Sequence, residues 1–338
     1  MTNEHYLDDI ISSINHAEDI NEAEKNQVLR NLAKLKQTKV NLLVTGATGC
    51  GKSSTINAMF NFDQAKVGQG VDPETMTIQK FEMNNVVVFD SPGLGDGLEA
   101  DKRHSENIIN KLYEKDDNGE MLIDLVLVIL DGSSRDLGTS FELINSVIIP
   151  NLGDDNSRLL VAINQADMAM KGRHWEYEKN QPDTTLMEFL DEKVLSTSRR
   201  IKEATGVDVV PIYYSAGYKE ANEIQQPYNL SKLLAFILRH TKPEKRAVIA
   251  QDINKETNFT YSDGLGEYVE EIRESLLDSL IRSVGQVGEK VVEKVVTVAS
   301  KVLDTGWKVL KSVGGSIARF FRLLSACLID RACLDACS

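Results

Sequence analysis

The stretch Gly46-Ala47-Thr48-Gly49-Cys50-Gly51-Lys52-Ser53 has the residue types and the spacing to hold a phosphate. It fits G-x-x-x-x-G-K-[ST], in which glycines let backbone N–H groups close around phosphate oxygens. In that pattern Lys52 reaches the β- and γ-phosphates and the Ser53 hydroxyl ligates Mg²⁺, with Ser54 following in the same turn. A helix opening at Ser53 adds partial positive charge at its N-terminus. A second candidate is Asp90, at the end of the apolar run Val86-Val87-Val88-Phe89. A carboxylate at the end of a buried strand facing such a loop holds Mg²⁺. Gly93, three residues on, can bring a backbone N–H to the γ-phosphate, and the glycines around it let the loop change shape. The plain alternative is a Pro-Gly turn after a strand.

These residues need a scaffold, and the chain supplies one. Val40 to Val44, Ile78 to Met83, Val86 to Phe89, Leu122 to Leu130, Arg158 to Ile163 and Val209 to Tyr214 read as strands, with helical patterns between them. Alternation of this kind predicts an α/β fold, a mostly parallel six-stranded sheet with helices on both faces. Ligands gather at the carboxyl ends of such strands, where each candidate residue falls. Before the sheet, Leu7, Ile10, Ile11 and Ile14, then Val28, Leu29, Leu32 and Leu35, predict two amphipathic packing helices. The Gly-rich segment from Val67 to Pro73 reads as mobile. The expected division is 1–37 for the N-terminal helices, 38–242 for the nucleotide domain and 243–338 for a C-terminal helical domain.

Composition narrows the partners. A chain of 338 residues with a formal net charge of −13 argues against a surface built for sequence-independent nucleic-acid binding, and no sequence-specific nucleic-acid partner is expected. The first ten residues carry acids and no apolar core, and no run approaches the length of a spanning helix. Three of the four cysteines crowd at the C-terminus without paired C-x-x-C spacing, so small buried thiols in a reducing cytosol are expected.

The ordered set of motifs resembles the translation-factor-like GTPases, and within them the Era-like branch, over about residues 38–240. The phosphate loop, a switch threonine, Asp90-Ser91-Pro92-Gly93, Asn164-Gln165-Ala166-Asp167 and Ser215-Ala216 match its five nucleotide motifs. His174-Trp175 and a tail carrying Trp and paired Phe look like a narrower group, the prophage- and genomic-island-encoded GTPases described as 50S ribosome-binding. The GATGCGKSS wording is also similar to that of immunity-related and septin-like GTPases. The resemblance implies GTP, GDP and Mg²⁺ as ligands. Base choice can also be argued chemically: a carboxylate at Asp167 accepts both N1–H and N2–H₂ of guanine, which adenine cannot match. Asn164 would brace the loop and contact the purine, and the Ala216 N–H would meet the guanine carbonyl.

Three residues depart from the family pattern. Gln165 stands in place of a Lys whose stem covers the base, and a Gln can still lie over the ring. Gly49 replaces the Asn of potassium-activated members. Leu94 replaces a water-positioning Gln, so turnover should be slow until a second protomer or partner completes the site. Arg135 is a candidate donor, with a solvated surface Arg as the alternative. Thr75 and Thr77 compete as the switch threonine, with Thr75 favoured because Thr77 is better placed to begin the strand.

After Pro243 the pattern turns helical. Tyr268, Ile272, Leu276, Leu277, Leu280 and Ile281 form one stripe, and Val291, Val295, Val298 and Val302 another. Between Gly285 and Arg331 eight Lys or Arg stand against four Asp or Glu, a net +4. Residues 307–324 are basic, apolar and aromatic, a composition that suits either docking on the protein or contact with a membrane surface. The expectation is a cytoplasmic GTP-hydrolysing switch with Lys52, Thr75 and Gly93 at the reaction. Its expected partners are a protein or ribosomal effector and a second copy through the G domain. A peripheral, dynamin-like membrane GTPase and, more remotely, a P-loop ATPase or kinase remain alternatives.

Overall fold

Alternating apolar residues that need cover on two faces dictate the architecture. The computed structural model describes residues 6–60, 66–68, 78–95, 97–153, 155–220, 223–253 and 267–306. The chain opens with helices α1 (Tyr6–Asn15) and α2 (Glu22–Lys36), the latter capped by the Asn21 side chain, which accepts from the Glu24 N–H. Strand β1 (Val40–Gly46) leads through the phosphate loop into α3 (Lys52–Met59). There follow β2 (Lys66–Gly68), β3 (Gln79–Glu82), β4 (Val86–Asp90), α4 (Leu98–Tyr113), β5 (Leu125–Asp131), α5 (Gly138–Glu142) and β6 (Leu159–Asn164). A small hairpin of β7 (Trp175–Glu176) and β8 (Gln181–Pro182) precedes α6 (Thr184–Thr205) and β9 (Ile212–Tyr213). A second hairpin, β10 (Tyr218–Glu220) with β11 (Glu223–Gln225), precedes α7 (Leu230–His240), α8 (Arg246–Ile249), α9 (Glu267–Val284) and α10 (Glu289–Gly306).

The sheet runs β2-β3-β4-β1-β5-β6-β9. Strands β4, β1, β5, β6 and β9 are parallel, whereas β3 runs antiparallel to both β4 and β2. The six expected strands are all present, and the sheet gains a seventh at its edge. That addition, β2, falls partly in the segment read as mobile: Lys66, Val67 and Gly68 pair with Glu82, Phe81 and Lys80. The open edge of β3 offers a ladder that composition alone does not reveal. The last strand is shorter than its apolar run suggests, because Pro211 supplies no N–H and pairing begins at Ile212.

Side chains alternate between two cores. Leu42, Val44, Val88, Leu127 and Ile129 face one core, shared with α1, α2, α3, α7, α9 and α10. Leu43, Val87, Phe89, Val128 and Ile163 face the other, under α4, α5 and α6. Residues beyond the expected division at 242 pack against the sheet: Asp252, fully buried, accepts from the N–H groups of Asn84, Asn85 and Val86 and from the Asn84 amide, at 2.6–3.0 Å. The ends of the chain also meet. Tyr6 bonds Gln251 and Ala247, Asn31 bonds the Val284 carbonyl, Gln27 bonds the Gln286 carbonyl and Glu24 accepts from the Gly288 N–H. No helix among the described residues is long and apolar enough to cross a membrane.

Candidate functional site

Parallel pairing brings the candidate residues to one end of the sheet. Val44 is level with Asp90, Gly46 with Ile129 and Asp131 with Asn164, so the loops after β1, β4, β5 and β6 emerge side by side. The phosphate loop turns into α3 at Gly51, whose φ of 87° suits glycine. A Cβ at Gly51 would lie 2.2 Å from the Asn164 amide nitrogen, so a side chain here would collide with the loop after β6. Lys52 lays its Nζ 3.2 Å from both the Gly46 and Ala47 carbonyls, which holds the ammonium across the loop mouth. Ser53 and Ser54 stand exposed in the first turn of α3. Burial pushes the Cys50 thiol up to about 11, so it remains a neutral packing group.

Asp90 ends β4 beside this loop. Burial pushes its carboxyl up to about 6 and nearby Lys52 draws it down; its Oδ1 is buried with no hydrogen-bond partner among the described residues. An orphaned carboxylate oxygen next to a lysine and a serine-led helix suits a hard, oxygen-seeking cation such as Mg²⁺. Ser53 and Asp90 would hold it there. The following loop folds onto the phosphate loop. Leu94 accepts from the Thr48 N–H at 3.0 Å and donates to Gly46 at 3.4 Å. Gly93 lies so close that a Cβ would come within 2.6 Å of Thr48 Cα. The Leu94 side chain is buried in the core under α4 rather than facing the loop.

The loop after β6 is braced by Asn164. Its amide donates to the Cys50 carbonyl at 3.0 Å and its oxygen accepts from the Ala216 N–H at 3.0 Å. The guanine carbonyl expected to take the Ala216 N–H therefore competes with Asn164 for it. Gln165, at a left-handed φ of 60°, donates from Nε2 to the Gly49 carbonyl at 2.8 Å. It thus ties the loop after β6 to the phosphate loop, where the expectation had it lying over a ring. Asp167 is buried, one turn along, and no protein partner is described for its carboxylate. Ser215 is buried and its backbone pairs with Tyr228, whose ring meets Trp175 edge-on at 5.3 Å.

Thr75 and Thr77 lie outside the described residues, as does the basic segment 307–324. Arg135 is exposed on the loop after β5. That loop is held by Lys193 of α6, whose Nζ donates to the carbonyls of Gly132 at 2.6 Å and Ser134 at 2.7 Å. Burial lowers the pKa of this ammonium. Sequence reasoning missed Lys193, His104 and Asp252. Of the three, His104 carried a readable signal: with Ile108 and Leu112 it repeats every four residues, on the buried face of α4.

Residues 41–165 match the family described as 50S ribosome-binding GTPase. Two curated proteins of Physcomitrium patens, translocases of chloroplast 101 and 108, are each 36% identical to this chain over 101 residues. That region is 29% of this chain but only 11% and 10% of those proteins, so the chain spans about a tenth of their length. Among solved structures, a probable GTP-binding protein engB is 18% identical, with a TM-score of 0.36, covering 60% of this chain and 98% of that one. Toc33 from Arabidopsis thaliana in complex with Mg²⁺ and GMPPNP is 17% identical, with a TM-score of 0.36, covering 61% and 82%. The likeness to a GTPase family thus lies on residues 41–165, the stretch that carries the phosphate loop, Asp90 and Asn164.

Proposed function

We propose that the chain is a cytoplasmic switch GTPase of the Era-like kind, slow alone and completed by a second copy docking through the G domain. The observation that carries this is Leu94. It follows Gly93 directly, where a side-chain amide would orient water, and it is both aliphatic and turned into the core. Nothing at that position can aim a nucleophile at phosphorus. In this reading the phosphate loop, residues 46–54, cradles the phosphates, while Lys52 and the Gly93 N–H stabilise charge as water attacks the γ-phosphorus in line. Bound Mg²⁺ supplies further neutralisation, held by Ser53 and Asp90, with Thr75 as the switch ligand. Asp167 reads guanine while Asn164, Gln165, Ser215 and Ala216 hold the base-side loops. Arg135, presented on a braced loop, is the group a second protomer offers.

The described C-terminal helices favour docking over lipid contact. Ile272, Leu276, Val291, Val295 and Leu303 are buried against the N-terminal helices and α7, so their apolar faces are occupied. The N- and C-terminal helices form one unit that carries the nucleotide state to a protein effector. The test is GTP turnover per protomer across a wide range of protein concentration, for wild type and Arg135→Ala. Turnover should rise with concentration in the wild type and stay flat and low in the variant. A fast rate independent of concentration overturns the reading.

A further inference from the structure

His104 is a buried polar residue that no step above uses. It sits in the second turn of α4 and is 1% exposed. Its Nδ1 lies 3.2 Å from the Gly93 carbonyl oxygen. A carbonyl oxygen only accepts, so Nδ1 carries the proton in this contact. The acceptor is half of the Gly93–Leu94 peptide, and the other half is the Leu94 N–H. A trans peptide is planar, with its C=O and N–H pointing in opposite directions. Holding the oxygen on His104 therefore aims the Leu94 N–H the other way, toward the Gly46 carbonyl at 3.4 Å. The next carbonyl, of Leu94, then takes the Thr48 N–H at 3.0 Å. One imidazole thus sets a peptide plane that registers the loop after β4 against the phosphate loop. Gly93 has no slack of its own there, being packed onto Thr48.

We propose that His104 is a positioning residue for GTP hydrolysis: its Nδ1–H fixes the Gly93–Leu94 peptide against the phosphate loop and, with Gly93 packed onto Thr48, restricts the adjoining Pro92–Gly93 peptide, whose N–H is the γ-phosphate donor. It acts through Gly93 and touches neither nucleotide nor water. Only the γ-phosphate reaches Gly93, so His104 contributes to GTP recognition and not to GDP recognition. The proposal rests on the reading of the Gly93 N–H as a γ-phosphate donor.

Two variants separate this role from mere packing. In His104→Asn the side-chain amide nitrogen has the same bonded reach as Nδ1 and keeps the donor. In His104→Leu the ring volume is better filled but the donor is gone. The measurements are Mg²⁺-dependent affinities for GDP and for a non-hydrolysable GTP analogue, with single-turnover hydrolysis rates. For His104→Leu the analogue should bind about tenfold more weakly, as for a lost and unreplaced hydrogen bond, with GDP binding within about twofold of wild type. His104→Asn should retain most of the discrimination. A packing role predicts the reverse order, with leucine the milder change. Equal behaviour of the two variants, or an equal loss for GDP and analogue, overturns the proposal. If the leucine protein does not fold, His104→Met serves as the donorless variant. Gly93→Ala separates the premise from the inference. If it leaves the preference for the analogue intact, the Gly93 reading fails. If it abolishes that preference while His104→Leu does not, only the role of His104 fails.

Discussion

Asp90 is where stability and function pull against each other. Its folded-state value of about 6 exceeds the ordinary 3.8 because burial disfavours the charged form more than Lys52 favours it. The folded protein therefore holds the proton more tightly than the unfolded chain. The cost of ionisation is absent below about pH 4, grows as pH rises toward 6, and is complete above that. A shift of this size corresponds to on the order of 2–3 kcal/mol. In chelator and without nucleotide, Asp90→Asn should raise the unfolding midpoint at pH 7 and bring no gain at pH 4; with Mg²⁺ and GTP supplied, the same variant should lose turnover. Equal or lower stability at pH 7 would refute the assignment of an uncompensated carboxylate. The identity of Asp90 as a candidate was legible from its place after an apolar run. The job of Gln165 was not, because a side chain reaching Gly49 depends on how two loops far apart in sequence are juxtaposed. Gln165→Ala should weaken GTP and GDP binding alike by several-fold, through a loosened phosphate loop, as isothermal titration would record.

The parallel strands were legible because each holds a short apolar run between turn residues, covered on both faces of the sheet. What escaped was the set of contacts that lock one element to another. The β3–β4 turn at Asn84-Asn85 looks like an ordinary surface turn, yet Asp252, about 167 residues on, takes four hydrogen bonds from it. No local pattern marks that carboxylate. Its removal leaves buried N–H groups without acceptors, so Asp252→Ala should cost about 3 kcal/mol or more in a urea titration. A loss below about 1 kcal/mol would mean that water replaces the carboxylate readily. Lys193 works likewise on the loop after β5. The sequence offers a lysine on a helix, and only the fold sets it among the Gly132 and Ser134 carbonyls.

At the scale of the molecule, amphipathic stripes announce that a helix packs but not what it packs against. Leu7, Ile10 and Ile14 marked one face of α1, and Val291 and Val295 one face of α10. That these faces share a core follows from the path of the chain, since the two helices are about as far apart in sequence as the protein allows. Polar stitches accompany the apolar contact: Glu24 takes the Gly288 N–H, Lys294 meets Asp19, and Arg239 of α7 pairs with Glu271 of α9. This changes what a truncation can report. Ending the chain near residue 253 would strip α9 and α10 from Ile10, Val28 and Leu32, all fully buried in the complete chain. Each such side chain represents about 1.5–3 kcal/mol of burial. The shortened protein should lose exchange protection throughout α1 and α2 and aggregate, and its adhesion to lipid vesicles would report exposed core rather than a membrane role. Hydrogen exchange followed by mass spectrometry decides the point. If α1 stays protected in the truncated protein, the two ends fold independently and the unit proposed here dissolves. If protection is lost there but kept in β1, β5 and β6, the G domain stands alone and the terminal helices are a single module mounted on it. Membrane contact by residues 307–324 is then tested only in the full chain, by Phe320→Ser with Phe321→Ser, with exchange protection of α1 as the control for its contact with α10.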